Sequence, residues 1–178
     1  MDKLREEIVS STDVFNGRLL KVKVEEVRLA DGSPARREVV YHPGAVAVAP
    51  INAAGHLMMV RQFRLPARRV LLEIPAGVLN EGEAPEECVG RELAEEIGMR
   101  PGRLTKLGAV YLAPGYSSEL IHLYLAQDLS PAQAQADEDE RLELVELPFA
   151  EALALIDRGE IHDAKTITGL LLAERKLR

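Results

Sequence analysis

The chain has 178 residues, 47% of them hydrophobic and 29% charged, with a formal net charge of −7. That balance suits a soluble globular protein large enough to bury a sizeable core. The acidic surplus argues against non-specific nucleic-acid binding, which runs on Lys and Arg neutralising phosphates. If the ligand carries phosphates, a metal ion is the natural source of positive charge. One cysteine, Cys88, excludes an intramolecular disulfide and fits a reducing cytoplasm. No apolar run approaches the ~20 residues of a membrane helix. The charged N-terminus, Met1-Asp-Lys-Leu-Arg-Glu-Glu7, lacks the apolar stretch of a signal peptide.

Taken in chain order, Leu19–Arg28 has strand period, with Leu20, Val22 and Val24 alternating with polar residues. Ala30-Asp-Gly-Ser-Pro34 is a turn signal, and Arg37–Tyr41 is a second short strand. Together they predict an N-terminal antiparallel hairpin, and the chain divides into an arm, 1–43, and a catalytic domain, 44–178. Ala45–Ile51 and His56–Arg64 flank the turn Asn52-Ala-Ala-Gly55 and read as a buried hairpin. Val70–Ile74 is another strand, and Pro85–Ile97 a helix. Leu104–Leu112, Leu120–Leu125 and Leu142–Leu147 are further strands. Phe149–Arg158 and Lys165–Leu177 have helical spacing, with Gly159 as a stop for the first. Strands with two or three helices predict an α+β fold.

The informative stretch is Gly77–Met99. Pro85 suits the first turn of a helix, where a missing N–H costs nothing, and Gly98 suits the left-handed cap. Val89, Leu93 and Ile97 form an apolar stripe at i, i+4, i+8. Glu92 and Glu96 share another face, with Glu95 beside them, at roughly 100° from the stripe. Like charges at this spacing weaken a helix slightly. Arg91 relieves part of the repulsion and is placed to pair with Glu83. A divalent cation would relieve more. Oxygen ligands without Cys or His favour Mg²⁺ or Mn²⁺ over Zn²⁺. The four histidines are too scattered for a zinc site. A glutamate-rich helix face is, by itself, more often simply solvated.

The full spacing alters that reading. Gly77-x5-Glu83-x7-Arg91-Glu92-Leu93-x-Glu95-Glu96-x-Gly98-Met99 matches every specified position of the Nudix hydrolase signature. The chain is identified on these residues as resembling that family, whose members hydrolyse nucleoside diphosphates linked to a variable group. The resemblance implies a mixed β-sheet sandwiched between helices. It makes Glu92 and Glu96 the principal metal ligands, helped by the carbonyl of Ala76. It makes Glu95 an auxiliary ligand or water-positioner, and Arg91 with Glu95 part of the catalytic set.

Four further features resemble the ADP-ribose pyrophosphatase branch. Pro114 lies fifteen residues past Met99 and opens Pro114-Gly115-Tyr-Ser-Ser-Glu119, although Pro-Gly makes a turn in any protein. The run Val60-Arg-Gln-Phe-Arg64, followed by Leu72-Glu-Ile-Pro-Ala-Gly77, aims Arg64 at the pyrophosphate, since guanidinium suits bidentate phosphate contact. The N-terminal hairpin carries Arg18, Arg36 and Glu38, and in the branch this arm exchanges between the two subunits of a homodimer and helps hold adenosine. The acidic run Asp137–Glu140 stands where the branch has a general base, which assigns Glu138 as base and Glu140 as metal helper. A register one or two residues away fits the same run. Asn80, Glu81 and Ile97 depart from common choices at variable box positions, none of them a metal position. The aromatic-rich motif of the NADH-cleaving branch is missing. The expected reaction is Mg²⁺-dependent hydrolysis of ADP-ribose to AMP and ribose 5-phosphate. The alternatives are another nucleotide sugar such as GDP-mannose, or a silent nucleotide-binding regulator.

Overall fold

The computed structural model describes residues 2–133 and 141–178. Two compact units emerge. The first holds the N-terminal strands up to Gly44 together with Tyr111–Leu120, and the second runs from Ala45 to Val110 and from Ile121 onward.

The first unit is a three-stranded antiparallel sheet in the order β1-β2-β3, built from β1 (Glu7–Asn16), β2 (Lys21–Arg28) and β3 (Pro34–Tyr41). The arm is therefore one strand larger than the expected hairpin. β1 reads Glu-Ile-Val-Ser-Ser-Thr-Asp-Val-Phe-Asn and is exposed along its whole length. With no buried face there is no clean alternation to read. The segment after Tyr111 is fastened to β3. The Val40 N–H donates to the Tyr116 carbonyl at 2.7 Å, and the Ser118 N–H donates to the Val40 carbonyl at 3.0 Å.

The second unit contains β4 (Ala45–Pro50), β5 (His56–Arg64), β6 (Arg69–Glu73), β7 (Ala76–Val78), α1 (Pro85–Ile97), β8 (Met99–Arg100), β9 (Arg103–Tyr111), β10 (Leu120–Gln127), β11 (Ser130–Pro131), β12 (Leu142–Pro148), α2 (Phe149–Asp157) and α3 (Ala164–Leu177). A four-stranded mixed sheet runs β7-β4-β10-β9, with β4 and β10 parallel. A three-stranded antiparallel sheet runs β12-β5-β6, and β8 pairs with β11. The expected β4–β5 hairpin is corrected here. The turn forms, with the Asn52 N–H donating to the His56 carbonyl at 2.9 Å. The strands then enter different sheets, with the bridge Ile51↔Leu57 beside the turn. Every residue of β4 is buried. A strand covered on both faces draws its neighbours from wherever the core supplies them, here β7 and β10.

The two faces of β4 explain the helix layers. Ala45, Ala47 and Ala49 pack with Leu123, Leu170 and Ala173, on the α2–α3 side. Val46 and Val48 pack with Tyr124, Cys88, Val89 and Leu93, on the α1 side. Helices thus cover both sides of the core strands, as the family resemblance implied. Val89 and Leu93 are fully buried, and each contributes roughly 1.5–3 kcal/mol by leaving water. α1 begins at Pro85 and ends at Gly98, whose φ of 66° is the left-handed cap conformation. α3 is capped by Asp163, whose carboxylate accepts from the Thr166 N–H at 3.0 Å.

Candidate active site

The site is built on α1 and on β7, the short strand before it. β7 pairs antiparallel with β4, setting Gly77 opposite Val46. A Cβ built on Gly77 would fall on the Glu92 carboxylate. The missing side chain is therefore what lets Glu92, only 8% exposed, lie against the strand. On the same strand the Ala76 N–H donates to Glu96 Oε2 at 3.3 Å. The expected grouping of Ala76, Glu92 and Glu96 is thereby brought to one place.

Arg91 organises the rest. Its Nε and Nη2 donate to the two Glu83 oxygens at 2.9 and 3.1 Å, the bidentate geometry that favours guanidinium over ammonium. Its Nη1 reaches Glu92 Oε1 at 2.6 Å and Glu95 Oε2 at 3.0 Å. Nη2 also donates to the Val78 carbonyl at 3.1 Å. The bonds from Arg91 hold the Glu83 carboxyl down at about 2, and the Glu83 bond foremost raises the Arg91 guanidinium above its ordinary value. Burial pushes the neighbouring Cys88 thiol up to about 12, which makes it a packing residue and not a nucleophile.

Glu83, Glu92 and Glu95 share one guanidinium, and Glu96 follows on the same helix. Among the described residues no three His, Cys, Asp or Glu side chains already converge as a cage, and Arg91 stands among the carboxylates. The donors are nonetheless all oxygen, held over a glycine cradle. Their chemistry fits a hard divalent cation.

A second charged cluster lies at the end of β5. Arg64, which the sequence reading aims at the pyrophosphate, is paired here with a buried carboxylate. Its Nε and Nη2 donate to both oxygens of Glu73 at 2.9 and 2.7 Å. Glu73 is 1% exposed and also accepts from Lys165 Nζ at 2.5 Å. Lys165 bonds Asp163 at 3.0 Å. Burial pushes the Glu73 carboxyl up, but Arg64 and Lys165 outweigh it and bring it below its ordinary value. Sequence reading missed Glu73, Asp163 and Lys165. The one available signal was a carboxylate inside the apolar run Val70–Ile74.

Arg18, Arg36 and Glu38 are exposed on the first unit, where Arg36 lies 4.0 Å from Glu26. Pro114 and Gly115 sit in a turn closed by the Tyr116 and Ser117 N–H groups on the Ala113 carbonyl. Glu119 lies 3.9 Å from His42, in the same unit. Glu138 and Glu140 fall outside the described residues.

Comparison with known proteins supplies the context. Residues 40–170 match the NUDIX domain, and residues 6–40 match the nucleoside diphosphate sugar hydrolase N-terminal domain. The chain is 42% identical to an ADP-ribose pyrophosphatase of Bacillus subtilis, over 93% of this chain and 91% of that one. It is also 42% identical to a methanol dehydrogenase activator of Bacillus methanolicus, over 94% and 92% of the two chains. A GDP-mannose pyrophosphatase of Yersinia enterocolitica is 40% identical over 67% of each. Among solved structures, an ADP compounds hydrolase superposes with a TM-score of 0.87 at 29% identity, covering 98% of this chain and 95% of that one.

Proposed function

Because the chain belongs to the Nudix hydrolase family, we propose that it hydrolyses the pyrophosphate of ADP-ribose to AMP and ribose 5-phosphate, with Mg²⁺ as cofactor. The observation that carries the chemistry is the Gly77 cradle, which seats the Glu92 carboxylate beside Ala76, Glu96 and Arg91. The choice of ADP-ribose is supported by similarity to an ADP-ribose pyrophosphatase over nearly the whole of both chains, and by the ADP compounds hydrolase structure. GDP-mannose stands second, since the relative named for it matches over only 67% of this chain.

Glu92, Glu96 and the Ala76 carbonyl would hold the ion, with Glu95 as auxiliary. When bound, it supplies charge that stabilises phosphate oxygens and lowers the pKa of a water. The chain's own residues do the positioning. Glu83 and the Val78 carbonyl fix Arg91, and Arg91 fixes Glu92 and Glu95. A water oxygen attacks one phosphorus and the bond to the bridging oxygen breaks. The proton lost by the water passes to a carboxylate that the metal does not engage, for which we propose Glu138, with Glu140 assisting at the metal. Arg64 neutralises phosphate charge. Arg18, Arg36, Glu38, Pro114, Gly115 and Glu119 are the proposed contacts to the rest of the substrate.

We also propose a cytoplasmic homodimer joined through the N-terminal arm. β1 is an edge strand, and its Ile8, Val9, Val14 and Phe15 are all more than half exposed. Such an edge is normally covered. Glu92→Gln and Glu96→Gln should each cut turnover by orders of magnitude with the melting temperature nearly kept. Wild-type turnover in either variant refutes the metal assignment.

A further inference from the structure

Arg64, Glu73, Lys165 and Asp163 form a chain of ion pairs joining the end of β5, the end of β6 and the start of α3. Two positive groups meet two negative ones. Glu73 and Lys165 are buried, at 1% and 7% exposure, whereas the Arg64 side chain is 40% exposed. Such a network is expensive to bury and adds little stability over an apolar replacement. What it does confer is orientation. Both Glu73 oxygens bind one edge of the guanidinium, through Nε and Nη2, which leaves the Nη1 donors for a ligand. Lys165 holds Glu73 from the other side, so the carboxylate cannot swing away with the arginine. Thr166 completes the anchor. Its hydroxyl accepts from the Ile74 N–H at 3.0 Å and donates to Asp163 at 2.5 Å, tying the start of α3 to the residue after Glu73. Glu73, which holds Arg64, stands three residues before Ala76, whose N–H donates to Glu96 of α1 at 3.3 Å, so the anchored arginine belongs to the same stretch of chain that meets the carboxylate helix.

We propose that Glu73 and Lys165 are positioning residues, which hold Arg64 in one orientation so that its Nη1 edge meets a substrate phosphate. The inference rests on the reading of the site as a pyrophosphate hydrolase. An arginine fixed in advance loses little rotamer freedom on binding, and a misplacement of about 1 Å can cost on the order of 100-fold in rate.

The test compares wild type with Glu73→Gln, Lys165→Met and the double variant. Each single change leaves one buried charge in excess and is expected to lower the melting temperature. The double variant restores the balance of charge but removes both anchors of Arg64. It should melt close to wild type and still lose about 10- to 100-fold in kcat/KM for ADP-ribose. Arg64→Lys should cost as much in wild type and little more in the double variant. Wild-type kcat/KM in the double variant would overturn the proposal and leave the cluster a purely structural one. A second readout does not depend on turnover. The Arg64 Nε–H resonance should be protected from exchange in wild type and shift when inorganic pyrophosphate and Mg²⁺ are added. No shift would overturn the proposal as well. A shift in a protein that leaves ADP-ribose intact would instead refute the substrate and spare the clamp.

Discussion

Gly77→Ala is the smallest change that separates the site from the fold. Gly77 is not among the glycines with positive φ, so alanine meets no backbone penalty there. Its Cβ, however, falls on the Glu92 carboxylate. Non-bonded heavy atoms settle ~3.5 Å apart, so the carboxylate must retreat by roughly 1–2 Å. It has little room, being buried and bonded to Arg91. A displacement of that size predicts a fall of about 100-fold in kcat/KM, or about 2.7 kcal/mol of transition-state stabilisation. The assay is steady-state turnover of ADP-ribose across a Mg²⁺ titration, with a thermal melt on the same sample. Gly90→Ala is the control. Gly90 lies within α1, with nothing within 4 Å of a built Cβ, and alanine there should stabilise the helix by about 0.8–1 kcal/mol. If Gly77→Ala keeps wild-type kcat/KM and metal dependence, the cradle has no part in the chemistry.

The remaining predictions concern stability. The Glu83 carboxyl is held near 2, below its ordinary 4.5, so its contribution is complete above about pH 5 and is lost as pH falls toward 2. That contribution is on the order of 1–3 kcal/mol, and Glu83→Gln should flatten the acid limb of a melting-temperature profile between those limits; an unchanged limb argues against the Arg91 pair. The buried Tyr124 hydroxyl donates to Glu86 at 2.7 Å, and Tyr124→Phe should cost about 1 kcal/mol in urea unfolding. Leu93→Ala removes a fully buried side chain under α1 and should cost about 2–5 kcal/mol; a smaller loss would mean the helix is not seated as described. Light scattering at micromolar concentration should give twice the chain mass, and a monomer would count against the arm as an interface.

Much of α1 was legible in advance. Its apolar stripe, Pro85 and Gly98 mark both ends correctly, because caps and period are local properties. The pairing of Arg91 with Glu83 was legible for the same reason, since eight residues and one turn separate them. The partners of β4 were not. Its continuous apolar text says that both faces are covered but not by which strands, and the short turn to β5 read as a hairpin that the two sheets divide. β1 was invisible because it has no buried face. The anchor of Arg64 joins residues 92 positions apart, and no spacing rule reaches that far. Its only mark was Glu73, charged within an apolar strand. Glu138 and Glu140 lie outside the described residues, so their roles rest on family resemblance.

The central claim is hydrolysis of a nucleoside diphosphate sugar at the α1 carboxylates, with ADP-ribose preferred. The most direct measurement is kcat/KM for ADP-ribose, GDP-mannose and a nucleoside triphosphate with Mg²⁺, with products identified by mass. The account predicts the highest value for ADP-ribose, with AMP and ribose 5-phosphate as the only products. A higher value for the triphosphate, or no cleavage of any nucleoside diphosphate sugar, would contradict it.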